Sequence, residues 1–350
     1  MTITFLDPAS KTIINSLAPT NLKIQRQDRY DGSGFDVSLS KFAPEDVSVI
    51  IRLYNAVKRT YELWLYMKDA PNYDLLKQHL FDQFASNSFL MSSQSIGVAT
   101  YSLDKLTPGL RKVTHDIRGG ALAVLTGYTT MMRSIDLGDE TQEYIDNAVL
   151  MARDHAKLMR NAIVDLDPLV RQADESLKVH YVEDFVKKWQ DSVINIADKA
   201  VRVDVQCLFE GSITNRCLET SAIDRILYNY VNNAARFAAD NQVTLFIVPL
   251  NDSLVRWAVK NSITETQQSW LQQQTQSDFK KLFLGGLTRG GHGIGLSSCT
   301  DFVAASFGIT PQEALDQAYL GAKLIGTDYY AWFHWPIYQQ IDDAVPDCEC

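Results

Sequence analysis

Three stretches of this 350-residue chain carry side chains whose types and spacing could do chemistry. The first is THDIRGGALAVLTGY, residues 114–128, where Asp116 directly follows His115. A carboxylate beside an imidazole can accept the Nδ1 proton and leave Nε2 as a nucleophile. Gly119 and Gly120 come next. Each costs roughly 1 kcal/mol relative to alanine inside a helix, so the pair signals either close helix packing or a bend that opens the histidine to bulky partners. The second stretch is DRILYNYVNNAARFAAD, residues 224–240. Asn229, Asn233 and Arg236 fall within about 60° of one another on a helix, apart from an apolar stripe of Ile226, Leu227, Tyr230, Ala234 and Phe237. Carboxamide oxygens can hold Mg²⁺ and a guanidinium can hold phosphate; a solvated polar stripe has the same pattern. The third is LFLGGLTRGGHGIGLSSCTDFV, residues 282–303, with six glycines between Gly285 and Gly295 ahead of an apolar helical pattern. Glycines let backbone amides approach a ligand, and the helix N-terminus beyond them favours an anion. The spacing G-x-G-x-x-G is absent, which excludes a Rossmann fingerprint.

These residues need a frame. From about residue 100 to 167 the chain reads as a helical hairpin. The first arm carries Val113, Ile117, Ala121, Val124, Tyr128 and Met131, and the second carries Ile145, Val149, Ala152, Ala156, Met159, Ile163 and Leu166. Steps of three and four make a bundle seam. Gly138 can end the first arm, Asp139 with Gln142 resembles a capping box opening the second, and Pro168 stops it. His115 lies about 200° from Val113 and from Ile117, so it is expected to face solvent rather than the seam. A two-helix hairpin cannot bury both faces alone, and pairing of two copies into a four-helix bundle is the simplest remedy. Upstream, residues 1–41 are rich in turn formers and predict few regular elements, whereas residues 43–67 and the stretch around YDLLKQHLFDQF predict helices. Downstream of residue 175 the pattern turns to mixed α and β. Strands are predicted at 201–207 and 328–335, a hairpin turns at LNDS, and helices cover 222–239 and 295–307.

In this order, an exposed His-Asp on a hairpin, an Asn-x-x-x-Asn-Ala helix and a Gly-x-Gly-Leu helix start, the chain resembles the sensor histidine kinases. THDIRGG is similar to their H-box, NYVNNAARF to their N-box and GGHGIGLS to their second glycine box. The resemblance covers about residues 105–338. It implies an α+β multidomain protein, with a helical-hairpin dimerisation bundle followed by a Bergerat-type α/β sandwich that binds ATP with Mg²⁺. It implies His115 as phosphoacceptor with Asp116 as its activating base, and Asn233 as the metal ligand. Asn229 and Arg236 would attend the phosphates, and Gly291, Gly293 and Gly295 would border the nucleotide. Two departures stand out. Asn261 occupies the place of the family's adenine-binding aspartate, with both glycines of Asp-x-Gly-x-Gly missing, and Gly119 and Gly120 replace the Thr or Asn and the Pro that often follow the histidine.

The expected organisation is a sensory or partner-binding region at 1–98, a dimerisation and phosphotransfer hairpin at 99–172, an ATP-binding domain at 173–338 and a flexible tail at 339–350. A net charge of −9 without a basic block argues against nucleic-acid binding. No apolar run approaches the roughly 18 residues that span a bilayer, and the start lacks signal-peptide features. Five scattered cysteines, two of them in the terminal CEC, fit a reducing cytoplasm. The expected function is a soluble, cytoplasmic, homodimeric two-component kinase that phosphorylates His115 and passes the group to the receiver domain of a response regulator. The alternatives are a histidine phosphotransferase or a non-enzymatic adaptor with a degenerate ATP-binding domain.

Overall fold

The computed structural model describes residues 7–24, 30, 32, 36–84, 87–103, 107–119, 121–134, 138, 141–196, 199–287, 289 and 294–337. It is an α+β protein of two compact units: a helical unit, Gly34–Arg171 with Ser192–Ala200, and an α/β unit, Met1–Ser33 with Gln172–Asp191 and Val201–Cys350.

The chain opens with α1 (Pro8–Ser16), part of the α/β unit. Asp7 caps it by accepting from the Ala9 and Ser10 amides at 3.0 Å, and Pro8 fits the first helical position, where no amide hydrogen is needed. The sequence reading expected few regular elements here and passed over this Asp-Pro start. It also grouped these residues with those up to 98, whereas α1 packs with the sheet strands.

The helical unit holds α2 (Pro44–Tyr66), α3 (Tyr73–Phe84), α4 (Asn87–Ser95), α5 (Val98–Ser102), α6 (Pro108–Arg118), α7 (Ala121–Ser134) and α8 (Thr141–Ala162). The first two match the predicted helices. The predicted first arm of the hairpin is not one helix: α6 stops at Arg118, Gly119 leaves the helical region at φ −116° and ψ −149°, and α7 starts afresh at Ala121. Gly120 and Asp139 lie outside the described residues. Of the seam residues, Val113, Ile117, Val124, Tyr128, Ile145, Val149, Ala152, Ala156, Met159 and Ile163 are buried. Their cover comes from the same chain, because α8 packs against α2, α3, α6 and α7. The burial that suggested a second copy is therefore supplied by α2, whose Ile50, Leu53, Tyr54 and Val57 form its buried stripe. Polar ties fix that packing: Tyr54 and Lys58 donate to Asp167 at 2.6 and 2.7 Å, and Trp64 and Tyr73 donate to Asp146 at 3.1 and 3.3 Å.

Beyond α9 (Pro168–Asp174) the α/β unit continues with β1 (Leu177–Tyr181) and α10 (Val182–Trp189); β2 (Val193–Ile196) packs on α7 in the helical unit. There follow β3 (Lys199–Cys207), β4 (Ser212–Arg216), α11 (Cys217–Phe237), β5 (Gln242–Asn251), β6 (Leu254–Ser262), α12 (Glu265–Thr275), α13 (Gly295–Phe307), α14 (Pro311–Asp316), β7 (Leu320–Ile325) and β8 (Asp328–Pro336). The order across the sheet is β3-β5-β6-β8-β7. β3 and β5 run parallel, joined through α11, and the other neighbours are antiparallel. The predicted strands, the hairpin turn at Asn251–Ser253 and both predicted helices are present.

Helices α11 and α13 pack against strands β6 and β8. Tyr230 of α11 donates to the Trp332 carbonyl at 3.2 Å, and Trp257 stacks on Phe333. A second apolar cluster joins Ile14 and Leu17 of the N-terminal segment to Phe246, Val248, Ala258, Tyr330 and Trp332 of the sheet. At its edge Arg256 is fully buried. Its guanidinium donates to the carbonyls of Ile14 (2.5 Å), Asn15 (3.3 Å), Ala18 (2.7 Å) and Pro19 (2.8 Å), and to His334 Nε2 (2.9 Å). Those carbonyls lie at the end of α1 and in the turn after it, the negative end of the helix, which attracts a cation. Burial lowers Arg256 to a pKa of about 10. Burial, with the Arg256 charge, drives His334 down to about 3, so it is neutral and holds its proton on Nδ1 toward the Tyr319 carbonyl at 2.8 Å.

Candidate functional site: a histidine–aspartate pair and an asparagine helix

The predicted residues fall in two places, one in each unit. In the helical unit, α6 begins where Thr107 Oγ1 accepts from the Leu110 amide at 3.3 Å and Pro108 fixes the first turn. Its buried face of Leu110, Val113 and Ile117 turns the helix so that His115 reaches the surface in part, with 27% of its side chain exposed. Nδ1 of His115 lies 3.2 Å from Asp116 Oδ1, the contact needed to hold the proton on Nδ1 and direct Nε2 outward. The sequence reading took both residues as exposed; Asp116 is instead 2% exposed at the side chain, tucked under the histidine. A desolvated carboxylate next to an imidazole orients it more strictly than a hydrated one.

Gly97 flanks this helix. Its φ of +83° suits glycine, and a β-carbon there would lie 2.6 Å from Thr114 Cγ2, one residue from the histidine. Arg118 donates to the Ile96 carbonyl in the same turn, and burial lowers its pKa. The turn between α4 and α5 thus clamps the last turn of α6. Asp46 anchors α5 from the other side, accepting from the Thr100 amide and hydroxyl at 2.7 and 2.5 Å. Gly119 sits just past the helix end, where an added β-carbon would meet, among the described residues, only the His115 carbonyl, at 3.5 Å.

In the α/β unit, α11 buries Ile223, Ile226, Leu227, Tyr230, Val231 and Ala234. This leaves Asn229 and Asn233 half-buried and Arg236 exposed, on the common stripe that the spacing predicts. Asn229 donates its amide nitrogen to the Arg225 carbonyl at 2.8 Å, which turns its oxygen the other way. Asn261, near the end of β6, is buried; its Nδ2 donates to the Ser262 carbonyl at 3.1 Å while its Oδ1 has no hydrogen-bond partner among the described residues. A buried acceptor in that state costs free energy until a donor arrives. Gly295 opens α13 and is buried, and the N-cap residue Ile294 offers no side-chain cap to that helix N-terminus. Gly291 and Gly293 lie outside the described residues, as do Cys348 and Cys350. Among the described residues no cluster of three or more His, Cys, Asp or Glu could hold a metal ion.

Sequence reasoning missed His155, which is fully buried on α8. Its only signal was position: it stands one residue before the seam alanine Ala156, in a run of apolar and ionisable side chains. It also missed the arginine clamp on α1, because nothing local connects residue 256 to residues 14–19.

No family model matches the chain, and no curated protein matches it. Solved structures do. Full-length ShkA in complex with AMPPNP is 17% identical over 69% of this chain and 46% of its own, with a TM-score of 0.34. The histidine kinase domain of the blue-light activated histidine kinase from Erythrobacter litoralis is 10% identical over 76% of this chain and 92% of its own, at 0.28. Histidine kinase ThkA, in complex with response regulator protein TrrA, is 14% identical over 72% of this chain and 68% of its own, at 0.27. The chain thus spans less than half of the ShkA chain it matches. Of these three, the second and third are histidine kinases by name.

Proposed function

We propose that the chain is a two-component histidine kinase, with His115 as the phosphoacceptor and MgATP as the phosphoryl donor. The observation that carries this reading is the His115–Asp116 pair: a partly exposed imidazole with Nδ1 3.2 Å from a buried carboxylate oxygen. In the proposed step the Nε2 lone pair forms an N–P bond to the γ-phosphorus. The bond from phosphorus to the β,γ-bridging oxygen breaks, and its electron pair leaves with ADP. The proton stays on Nδ1, where Asp116 stabilises the imidazolium that develops. Asn229 and Arg236 would hold phosphate oxygens and Asn233 the Mg²⁺, whose contribution when bound is to neutralise phosphate charge. The orphaned Oδ1 of Asn261 would accept from the adenine amino group, and the uncapped start of α13 would face the phosphates, with Gly291, Gly293 and Gly295 along the nucleotide. In this reading the α/β unit is the Bergerat-type sandwich and the α6–α8 region the phosphotransfer hairpin. The group would pass to the receiver domain of a response regulator, and a homodimer would form through a surface other than the α8 seam, which α2 covers.

One observation favours a second reading. Asparagine at 261, without the accompanying glycines, weakens base recognition, which suits a phosphotransferase that takes its phosphoryl group from a partner. Titration with a fluorescent ATP analogue, with and without Mg²⁺, separates the two. The kinase reading requires saturable, Mg²⁺-dependent binding that is lost in Asn233→Ala; no saturable binding leaves the relay.

A further inference from the structure

Behind the His115–Asp116 pair lies a buried group of ionisable side chains with no assigned role. His155 of α8 is fully buried, and Asp116 of α6 and Asp154 of α8 are nearly so. Arg153 closes the group at the rim, binding Asp154 Oδ1 from Nε and Nη2 at 3.0 and 2.9 Å. Because α6 ends at Arg118, its last carbonyls lack helical partners, and Ile117 is among them. Helix α8 packs against α6, and His155 feels the Ile117 carbonyl and the Asp116 charge, yet among the described residues neither ring nitrogen has a hydrogen-bond partner. Burial drives its pKa down to about 4 against the pull of Ile117, Asp116 and Asp154, so at neutral pH it is an uncharged ring with one N–H to give. An imidazole with both nitrogens unmade in a dry interior carries a cost that a small shift would relieve.

We infer that His155 is a positioning residue: its one N–H serves the Ile117 carbonyl at the end of α6, and so fixes how the adjacent Asp116 holds the His115 ring. The break at Gly119 gives this its point. With α6 and α7 separate, the orientation of the last turn of α6 is not inherited from a continuous helix and has to be fixed laterally, by Gly97 and Arg118 on one side and by α8 on the other. The inference rests on the kinase reading for its effect on transfer, but not for its effect on the ring.

The test uses the full chain with His155→Phe, which keeps the ring volume and removes both nitrogens, and His155→Gln, which restores a donor. The first readout is the His115 tautomer by ¹⁵N NMR at pH 7.5. The parent and His155→Gln should show a single tautomer protonated on Nδ1, and His155→Phe a mixture of the two. The second is phosphohistidine formation from MgATP, where His155→Phe should lose about tenfold or more in rate at unchanged KM, the scale of a misplaced reacting group. Should His155→Phe not fold, His155→Leu, which also has no donor, takes its place with the same expectations. A parent-like tautomer in a folded Phe or Leu variant overturns the inference, as does an equal loss in His155→Gln. If the parent forms no phosphohistidine at all, the kinase reading falls and the tautomer alone decides the role of His155.

Discussion

Replacing Arg256 by methionine keeps most of the aliphatic stem and removes every donor of the clamp on α1. Five acceptors lose a partner: the carbonyls of Ile14, Asn15, Ala18 and Pro19, and His334 Nε2. At about 1–1.5 kcal/mol for each buried bond, that is a loss of about 5–7 kcal/mol. Against it stands relief of a buried charge. A guanidinium lowered from 12.5 to about 10 carries a burial cost, which at 1.36 kcal/mol per unit is about 3 kcal/mol. The net expectation is a destabilisation of about 2–4 kcal/mol, below the full cost of breaking a buried ion pair because carbonyls rather than a carboxylate are left behind. Urea unfolding followed by tryptophan fluorescence reads it, since Trp257, Trp332 and Trp335 are buried in the same unit. The midpoint should fall at an unchanged slope. Deleting residues 1–19 should cost more than Arg256→Met, because it also uncovers the apolar cluster of Ile14 and Leu17, and combining the deletion with Arg256→Met should cost little beyond the deletion alone, because both remove the same clamp. A loss under about 1 kcal/mol for Arg256→Met, or strict additivity with the deletion, would refute the reasoning.

Gly97→Ala should destabilise the helical unit by about 2 kcal/mol or more, from a left-handed backbone and a methyl at 2.6 Å from Thr114 Cγ2; a thermal melt within a degree of the parent contradicts this. His155 and His334 have folded pKa values of about 4 and about 3, below the usual 6.5. Their unfolded forms therefore bind protons first, and the stability present above pH 6.5 is lost on acidification, at up to about 1.4 kcal/mol per unit for each histidine. Denaturant titrations at pH 7 and pH 5 should show the fall, and His155→Gln should lessen it. Asn261→Asp should tighten binding of a fluorescent ATP analogue by about tenfold, as a charged acceptor replaces a neutral one, while lowering stability without nucleotide, because it buries a carboxylate against the Ser262 carbonyl. Unchanged affinity places the base elsewhere.

Much of the fold was legible because its signals are local. Alternation gave β3 and β8, the turn at Asn251–Ser253 gave the β5–β6 hairpin, and the glycine run before an apolar stretch marked the start of α13 at Gly295. The spacing of Asn229, Asn233 and Arg236 placed them on one stripe of α11 because helical geometry alone determines that. What was not legible depends on contacts far apart in sequence. Periodicity carried the first arm straight through Gly119, since a seam of threes and fours cannot say whether two glycines bend a helix or end it. It marked α8 as needing cover without naming α2 as the cover. Asp116 was read as exposed together with His115, and its burial is set by the neighbouring helices, which the spacing within one helix does not contain.

The central claim is that His115 takes a phosphoryl group from ATP. Incubation of the purified full chain with γ-labelled ATP and Mg²⁺ should yield a protein-bound label that is stable in alkali, lost in acid, and absent from His115→Gln. Transfer to an aspartate of a receiver domain should then remove it. Labelling of His115→Gln equal to the parent, or a parent that stays unlabelled while binding MgATP, would contradict the account.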